Sequence, residues 1–275
     1  MSELRMTCNT SIELYFRHLA ANHTPRFRFS GANASQWASW RESLLPALHA
    51  TLGTLPARVA PNPQILAEWE DDGLWKQRVL LEVEPGLAMT ALLYRQVKDE
   101  GKKLPGILAC HGHGPYGKDS VMGDRSESSR SANISEFNYD YGLRMAKEGF
   151  AVIAFDCRGF GERDDRVRPH CIDAIHGRDI CNIHFLRASL FGKTLLGMNI
   201  HDGKCALDYL CSQCFVDSSR IGVMGLSFGG TMATWMSLCD ERIKATDIVC
   251  YSDRFADFAV RDANFCGSQM TPGLF

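Results

Sequence analysis

The sequence of 275 residues lacks two features that mark large classes of proteins, a long apolar run and an excess of basic residues. No apolar stretch approaches the roughly 20 residues that a helix needs to cross a bilayer. Lysine and arginine together number 30 against 32 aspartates and glutamates, so no basic surplus is present to neutralise a phosphate backbone. We therefore expect neither a membrane-spanning segment nor a nucleic-acid partner.

We also expect neither a secretory leader nor a disulfide framework. Glu3 and Glu13 interrupt the first residues, which carry no apolar core of the kind a signal peptide needs, and we predict a cytoplasmic protein. The eleven cysteines are odd in number and scattered along a chain of ordinary size, which favours reduced thiols. Cys211 and Cys214 have C-x-x-C spacing, but no second pair follows, so we assign no metal or redox site.

The most informative stretch that is present runs Gly225-Leu226-Ser227-Phe228-Gly229-Gly230. It separates an apolar run over 221–224 from a helix-like segment over 231–239. A G-x-S-x-G at such a boundary is typical of a nucleophile elbow, a sharp strand-to-helix turn that exposes the serine hydroxyl. Gly225 and Gly229 are expected there because strand and helix backbones approach each other closely. The sequence therefore predicts that Ser227 is a catalytic nucleophile.

Hydrophobic periodicity predicts one α/β domain behind a helical N-terminal segment. Residues 1–70 are predicted as a helical cap packed on a core over 71–275. Segments 77–82 and 89–95 alternate in polarity and predict an antiparallel hairpin. Four short apolar runs that follow predict buried strands of a mostly parallel sheet, at 105–110, 150–156, 220–224 and 245–251. Helices are predicted between them, at 137–148, 195–211 and 229–239.

The loop after the predicted strand 105–110 is rich in glycine and reads His111-Gly112-His113-Gly114. In an α/β-hydrolase this position supplies a backbone N–H to the developing oxyanion, and we predict the amides of His113 and Phe228 as that pair. The stretch 112–117 also matches a dinucleotide-binding G-x-G-x-x-G, but a polar stretch follows it where that motif needs a helix. We therefore do not assign dinucleotide binding.

Three further polar regions carry predictions of their own. Asp156 ends the next predicted strand, where it could order the neighbouring oxyanion loop, although a structural carboxylate that binds turn amides is the favoured interpretation. His201 and Asp202 are predicted to lie on a helix surface. The long connection 159–193 is either a solvated excursion or a lid over the site, and it carries His170, His176 and His184.

Together, the 111–114 loop, the Asp156-to-Gly161 segment and the elbow resemble the dienelactone hydrolase and acetyl xylan esterase-like branch of the α/β-hydrolases. The resemblance covers roughly residues 75–252. It implies a serine hydrolase that acts on small-molecule carboxylic esters through an acyl-enzyme, with no metal or organic cofactor. Within it, Ser227 matches the nucleophile and His113 the first oxyanion donor.

The sequence departs from that family in its histidines. The family order is Ser, then Asp or Glu, then His, whereas all nine histidines of this sequence precede Ser227. We therefore expect a chain truncated before the triad acid and histidine, lacking C-terminal strands, with impaired activity. Its last strand would then leave an open sheet edge through which a homo-oligomer could form.

Three alternatives remain open for the activity of the chain. One of the three histidines in 159–193 could serve as the base, with Asp253 or Asp257 as the acid, because a triad is defined by placement and not by chain order. The chain could instead be a non-catalytic interaction protein built on a hydrolase remnant. A peptidase of the prolyl-oligopeptidase kind shares the elbow, but it normally brings a large N-terminal domain, and residues 1–70 are too few for one.

Overall fold

The computed structural model describes residues 10–60, 62–167, 179–251 and 266–274. In these ranges seven strands form one sheet in the order β1-β2-β3-β5-β4-β6-β7. The strands are β1 (Gln64–Asp71), β2 (Leu74–Glu84), β3 (Leu87–Gln96), β4 (Leu104–Cys110), β5 (Ala151–Phe155), β6 (Val216–Leu226) and β7 (Ile243–Val249). The helices are α1 (Ile12–Asn22), α2 (Ala34–Thr51), α3 (Gly117–Val121), α4 (Ser128–Phe137), α5 (Tyr141–Lys147), α6 (Ile180–Leu190), α7 (Leu195–Ser212) and α8 (Phe228–Cys239).

The directions of the strands confirm a mostly parallel sheet that begins with an antiparallel hairpin. Strands β1, β2 and β3 pair antiparallel in sequence, and β3 also pairs antiparallel with β5. Strands β5, β4, β6 and β7 are parallel neighbours. Five of the seven described strands, β2 and β4 to β7, therefore run in one direction. The carboxyl ends of β4, β5 and β6 meet at one edge of the sheet, where loops can form a site.

Helices cover both faces of the central strands and bury two apolar cores. One core joins the sheet to α7 and α8 through residues such as Leu108, Ile200 and Met232. The other joins it to α3, α4 and α5 through residues such as Ile107 and Ile134. Burial on both faces explains why the central strands appear in the sequence as apolar runs without alternation.

The N-terminal segment contains the two helices α1 and α2. The Asn33 side chain accepts a hydrogen bond from the Gln36 amide at 2.9 Å and so caps the start of α2. At the other end of α2, Leu52 is buried in the core, and the Thr194 hydroxyl donates to its carbonyl at 2.7 Å. No helix in the described ranges has both the length and the apolar character needed to cross a bilayer.

Strand β1 was not predicted from the sequence and lies inside the segment expected to be a helical cap. Its side chains are exposed along its whole length, so it leaves no pattern of burial in the sequence. It joins the sheet by backbone pairing with β2 at the sheet edge.

The region after β4 also differs from the prediction. Two short helices, α3 and α4, occupy the stretch that was expected to be non-helical. The helix predicted over 137–148 is shorter, because Asn138 adopts a left-handed conformation, with φ at 52°, and ends α4 before α5 begins at Tyr141.

Candidate functional site

Ser227 occupies the single residue between the last residue of β6 and the first of α8. Its backbone has φ at 59° and ψ at −117°, a conformation that side-chain-bearing residues rarely adopt. Such a residue costs about 1–3 kcal/mol and persists only where the surrounding structure fixes it. Ser227 is half-buried, and within the described ranges its Oγ has no hydrogen-bond partner.

Two glycines allow the tight packing around this turn. A Cβ placed on Gly225 would lie 2.1 Å from the carbonyl oxygen of Gly229, and one on Gly229 would lie 2.1 Å from that of Cys110. Neither position can accept a side chain unless the backbone shifts. The backbones of β6, α8 and the end of β4 therefore lie too close together for a side chain at either glycine.

The turn lies beside the loop that follows β4. Cys110 pairs with Gly225 in the parallel register, so the residues after each of them emerge together at the same edge of the sheet. The buried ring of Phe228 stacks on Phe160 with centroids 5.2 Å apart, and His113 meets the same Phe160 ring edge-on at 5.1 Å. The structure thus brings His113, Ser227 and Phe228 together.

His111 fixes the position of that loop and is not available for proton transfer. Its Nδ1 lies 2.8 Å from the Gly112 carbonyl oxygen, and its Nε2 lies 3.0 Å from the Cys157 amide nitrogen. The pattern assigns the proton to Nδ1, which donates, while Nε2 accepts. Burial lowers the pKa of His111, so the imidazole is neutral. The loop after β4 is thereby tied to the end of β5.

Asp156 is fully buried at the end of β5 and is held by several donors. It accepts from the Lys118 amide and from the Lys118 ammonium, both at 2.8 Å, and from the Glu162 amide at 3.1 Å. Burial alone would lower the Lys118 pKa, but the negative charges of Asp156, Asp119 and Glu162 raise it. The geometry favours a structural carboxylate, which is the interpretation favoured from the position of Asp156 in the sequence.

Glu162 extends this ion-pair cluster toward solvent. Its carboxylate accepts from Lys118 Nζ at 3.0 Å, from the Thr90 hydroxyl at 2.8 Å and from Arg78 Nη2 at 2.9 Å. Burial raises the Glu162 pKa, but the Lys118 charge and the three hydrogen bonds outweigh it and hold the pKa at about 2.

Low pH should therefore lower the free energy of unfolding, in part because it protonates Glu162. Its folded-state pKa of about 2 lies below the value of about 4.3 in an unfolded chain, so ionised Glu162 stabilises the fold above that value. The stability is lost as the pH falls from about 4.3 toward 2. We expect the free energy of unfolding to fall more steeply over this interval in the wild type than in Glu162→Gln, as measured by urea denaturation. Glu13→Gln, on exposed α1, should follow the wild type, and parallel profiles for all three proteins would contradict the assignment.

His201 and Asp202 are buried, so the prediction that they lie on a helix surface was wrong. Asp202 accepts two hydrogen bonds from the Arg158 guanidinium, at 2.8 and 2.7 Å, and one from Arg163 at 2.7 Å. His201 Nε2 lies 2.7 Å from the Val83 carbonyl oxygen. The partners of both residues come from segments far away along the chain, Val83 from β2 and the two arginines from the region after β5, and the helical spacing of α7 does not reveal them.

Of the residues predicted as acid or base, the structure describes His184 alone. His184 lies on α6, and its Nε2 is 3.2 Å from Asp165. Both line a cleft of about 680 Å³ whose lining does not include Ser227. His170, His176, Asp253 and Asp257 lie outside the described residues, and the lid over 159–193 stays a prediction. Among the described histidines, none forms a hydrogen bond with Ser227 Oγ.

A group of thiols beside His113 was not found from the sequence. His113 Nε2 lies 3.5 Å from Cys181 Sγ, and Cys266 Sγ lies 2.6 Å from the Ser268 hydroxyl. A hydrogen bond from Cys181, and further ones from His113 and Ser268, lower the pKa of Cys266. The bond to Cys266 in turn raises the His113 pKa. The two cysteines come from segments far apart along the chain, so their spacing carried no signal.

Comparison with known proteins supports the fold. A protein of Bacillus subtilis named "Putative hydrolase YtaP" is 29% identical over 206 residues, which are 74% of this chain and 62% of that protein. A crystal structure described as a putative acetyl xylan esterase from Bacteroides fragilis superposes with a TM-score of 0.70 at 19% identity, covering 88% of this chain and 61% of the other. Glucuronoyl esterase from Solibacter usitatus superposes with a TM-score of 0.53 at 18% identity, covering 77% and 58%.

This chain spans about three fifths of the length of each of these proteins. At identities below 20%, the two structural matches bear on the fold alone. The family model for an abhydrolase family matches residues 11–261, which is nearly the whole chain. The chain therefore belongs to this family of hydrolases and has its α/β-hydrolase fold.

Proposed function

We propose that this chain carries the nucleophile and the oxyanion-binding groups of a carboxylic ester hydrolase. The observation that carries the proposal is the strained backbone of Ser227, held between β6 and α8 beside the loop after β4. Strained backbone of this kind clusters at active sites and ligand-binding sites. The names of the similar structures, an acetyl xylan esterase and a glucuronoyl esterase, agree with ester substrates.

In the proposed reaction Ser227 Oγ attacks the ester carbonyl carbon and gives up its proton to a base. The amides of His113 and Phe228 would donate hydrogen bonds to the oxyanion that forms. The bond to the alcohol then breaks, the alcohol leaves with a proton, and the acyl group stays on Ser227. Water hydrolyses this acyl-enzyme and releases the acid. Among the described residues, the backbone hydrogen bonds of turns and loops use neither amide, so both are free to act. Each oxyanion donor contributes about 3–4 kcal/mol in comparable enzymes.

The proposed reaction also needs a base that takes the proton of Ser227. Of the described histidines, His111 and His201 are fixed by backbone groups, and His184 is paired with Asp165. We propose that this 275-residue chain is only weakly active by itself. His170 and His176 remain candidate bases, and Asp253 and Asp257 remain candidate acids.

Labelling with a fluorophosphonate tests the nucleophile, because the reagent reacts with activated serines. We expect slow labelling at a single site that is lost entirely in Ser227→Ala, read by intact-protein mass spectrometry. Hydrolysis of p-nitrophenyl acetate should fall to the background rate in the same variant. Ser218→Ala, at an exposed position on the same strand, is the matched control and should label like the wild type.

Two outcomes would contradict the proposal. Labelling that survives Ser227→Ala would place the reactive group elsewhere. A wild-type protein that stays unlabelled after prolonged exposure, while folded by circular dichroism, would favour the non-catalytic interaction protein.

A further inference from the structure

Three side chains that can bind a soft metal ion meet beside the Ser227 turn. His113 comes from the loop after β4, Cys181 from the first turn of α6, and Cys266 from the residue before the 3₁₀ turn Gly267–Gln269. Their ligand atoms, one imidazole nitrogen and two sulfurs, all lie within 4.8 Å of one another. Three separate segments of the chain thus converge on one point.

The spacing of these atoms fits a zinc ion. With Zn–S bonds of about 2.3 Å and Zn–N bonds of about 2.1 Å, tetrahedral geometry separates nitrogen from sulfur by about 3.6 Å and two sulfurs by about 3.8 Å. The distance from His113 Nε2 to Cys181 Sγ is 3.5 Å. The limit of 4.8 Å on the remaining pairs leaves only small side-chain movements for closure around an ion.

We propose that His113, Cys181 and Cys266 form a binding site for one Zn²⁺ ion, with a fourth position open to water or another small ligand. One nitrogen and two sulfurs are a donor set that zinc prefers, and three protein ligands with one open position are typical of sites where zinc is not purely structural. Each thiol releases its proton to solvent as the ion binds, so that two thiolates balance the charge of the ion.

The surroundings hold the ligands in place before any ion binds. The Ser268 hydroxyl lies 2.6 Å from Cys266 Sγ, where it can donate to a thiolate ligand. The Gly267 amide donates to Asn182 Oδ1 at 2.9 Å, which ties the segment of Cys266 to the helix of Cys181. The Thr231 hydroxyl donates to Gln269 Oε1 at 2.8 Å, which anchors the same segment to α8. Little ordering of the chain is left for the metal to impose.

The exposure of the three ligand residues is also suited to metal binding. Cys181 and Cys266 are buried, whereas His113 is exposed on the side of the loop that faces solvent. An ion can therefore enter past the imidazole and reach thiols that are shielded from other reagents.

The site would influence the reaction proposed for Ser227, and this consequence rests on the proposed function. The residue that supplies an imidazole ligand is the one whose backbone N–H is the proposed oxyanion donor. Zinc bound at His113 would hold that amide in one position relative to Ser227. The binding itself requires no activity, so it can be tested when no ester is hydrolysed.

Cobalt is the probe for the test, since Co²⁺ occupies zinc sites and thiolate ligands give it an intense near-ultraviolet charge-transfer band. We expect reduced wild-type protein to bind one equivalent of Co²⁺ with this band, and one equivalent of Zn²⁺ to abolish the band. Cys181→Ser and Cys266→Ser should each lose most of the band. Ser268→Ala should weaken binding about 10- to 100-fold, as loss of an outer-sphere partner does.

Cys214→Ser is the decisive control, because Cys211 and Cys214 have C-x-x-C spacing in the sequence and could bind an ion elsewhere. This variant should bind cobalt like the wild type. Loss of the band in Cys214→Ser, or its retention in both Cys181→Ser and Cys266→Ser, would overturn the proposal. Failure of the fully reduced wild type to bind cobalt would also overturn it. Circular dichroism of each variant separates loss of a ligand from loss of the fold.

Discussion

Replacement of Asp202 with alanine is expected to lower the free energy of unfolding by about 3–5 kcal/mol, the usual cost of removing one partner of a buried ion pair. The Asp202 carboxylate is inaccessible to solvent and lies 2.7 Å from a guanidinium nitrogen of Arg158 and 2.7 Å from one of Arg163. Both guanidinium groups are themselves largely buried, so neither can recover its lost partner from water. Arg158 keeps a second carboxylate, Glu84, at 2.7 Å, which places the effect toward the lower end of the range.

Urea denaturation of the variant measures this effect. Asp202→Asn keeps the shape and one acceptor but removes the charge, so it should lose less stability than Asp202→Ala. Glu13→Ala removes an exposed ion pair with Arg17 on α1 and should change stability by less than about 1 kcal/mol. A loss in Asp202→Ala as small as that of Glu13→Ala would show that the buried network contributes little.

A second large loss of stability is expected for Lys118→Met, again about 3–5 kcal/mol. Methionine has a similar length and no branch, so the packing around the buried side chain should be preserved. The ammonium contacts Asp156 at 2.8 Å, Glu162 at 3.0 Å and Asp119 at 3.4 Å. Without it, the buried Asp156 carboxylate keeps two amide donors but no cation in direct contact.

The matched control for this variant is Lys147→Met, which removes an exposed pair with Asp72. Its effect should be far smaller than that of Lys118→Met, because solvent screens such pairs. Part of the loss in Lys118→Met should be recovered at a pH low enough to protonate the carboxylates around it. Equal losses in the two variants, or a loss in Lys118→Met that is unchanged in acid, would contradict the assigned role.

Local patterns were enough to predict the turn around Ser227. The G-x-S-x-G pattern predicts close backbone contacts at its two outer glycines, and Gly225 and Gly229 lie at such contacts in the structure. The central strands were also predictable, because burial on both faces leaves runs of apolar residues. The helix boundary near residue 137 could not be predicted, since it depends on the left-handed conformation of a single asparagine, Asn138.

Features that depend on distant contacts could not be predicted in the same way. Asp202 has the sequence context of an exposed helical residue. Its burial is favourable only because Arg158 and Arg163 form ion pairs with it. The approach of Cys181 and Cys266 depends on how α6 packs against the 3₁₀ turn after Cys266, which no local spacing encodes. Strand β1 is held by backbone pairing at the sheet edge, and backbone pairing leaves little trace in side-chain pattern.

Folding stability and the proposed catalysis favour different residues at position 227. At φ of 59° and ψ of −117° a glycine would be relaxed, whereas serine carries the steric cost of its Cβ. Glycine would also delete the hydroxyl. Any search for more stable variants that scores folding alone would therefore be drawn toward glycine here and would discard the proposed nucleophile, so this position should be held fixed when the protein is engineered for stability.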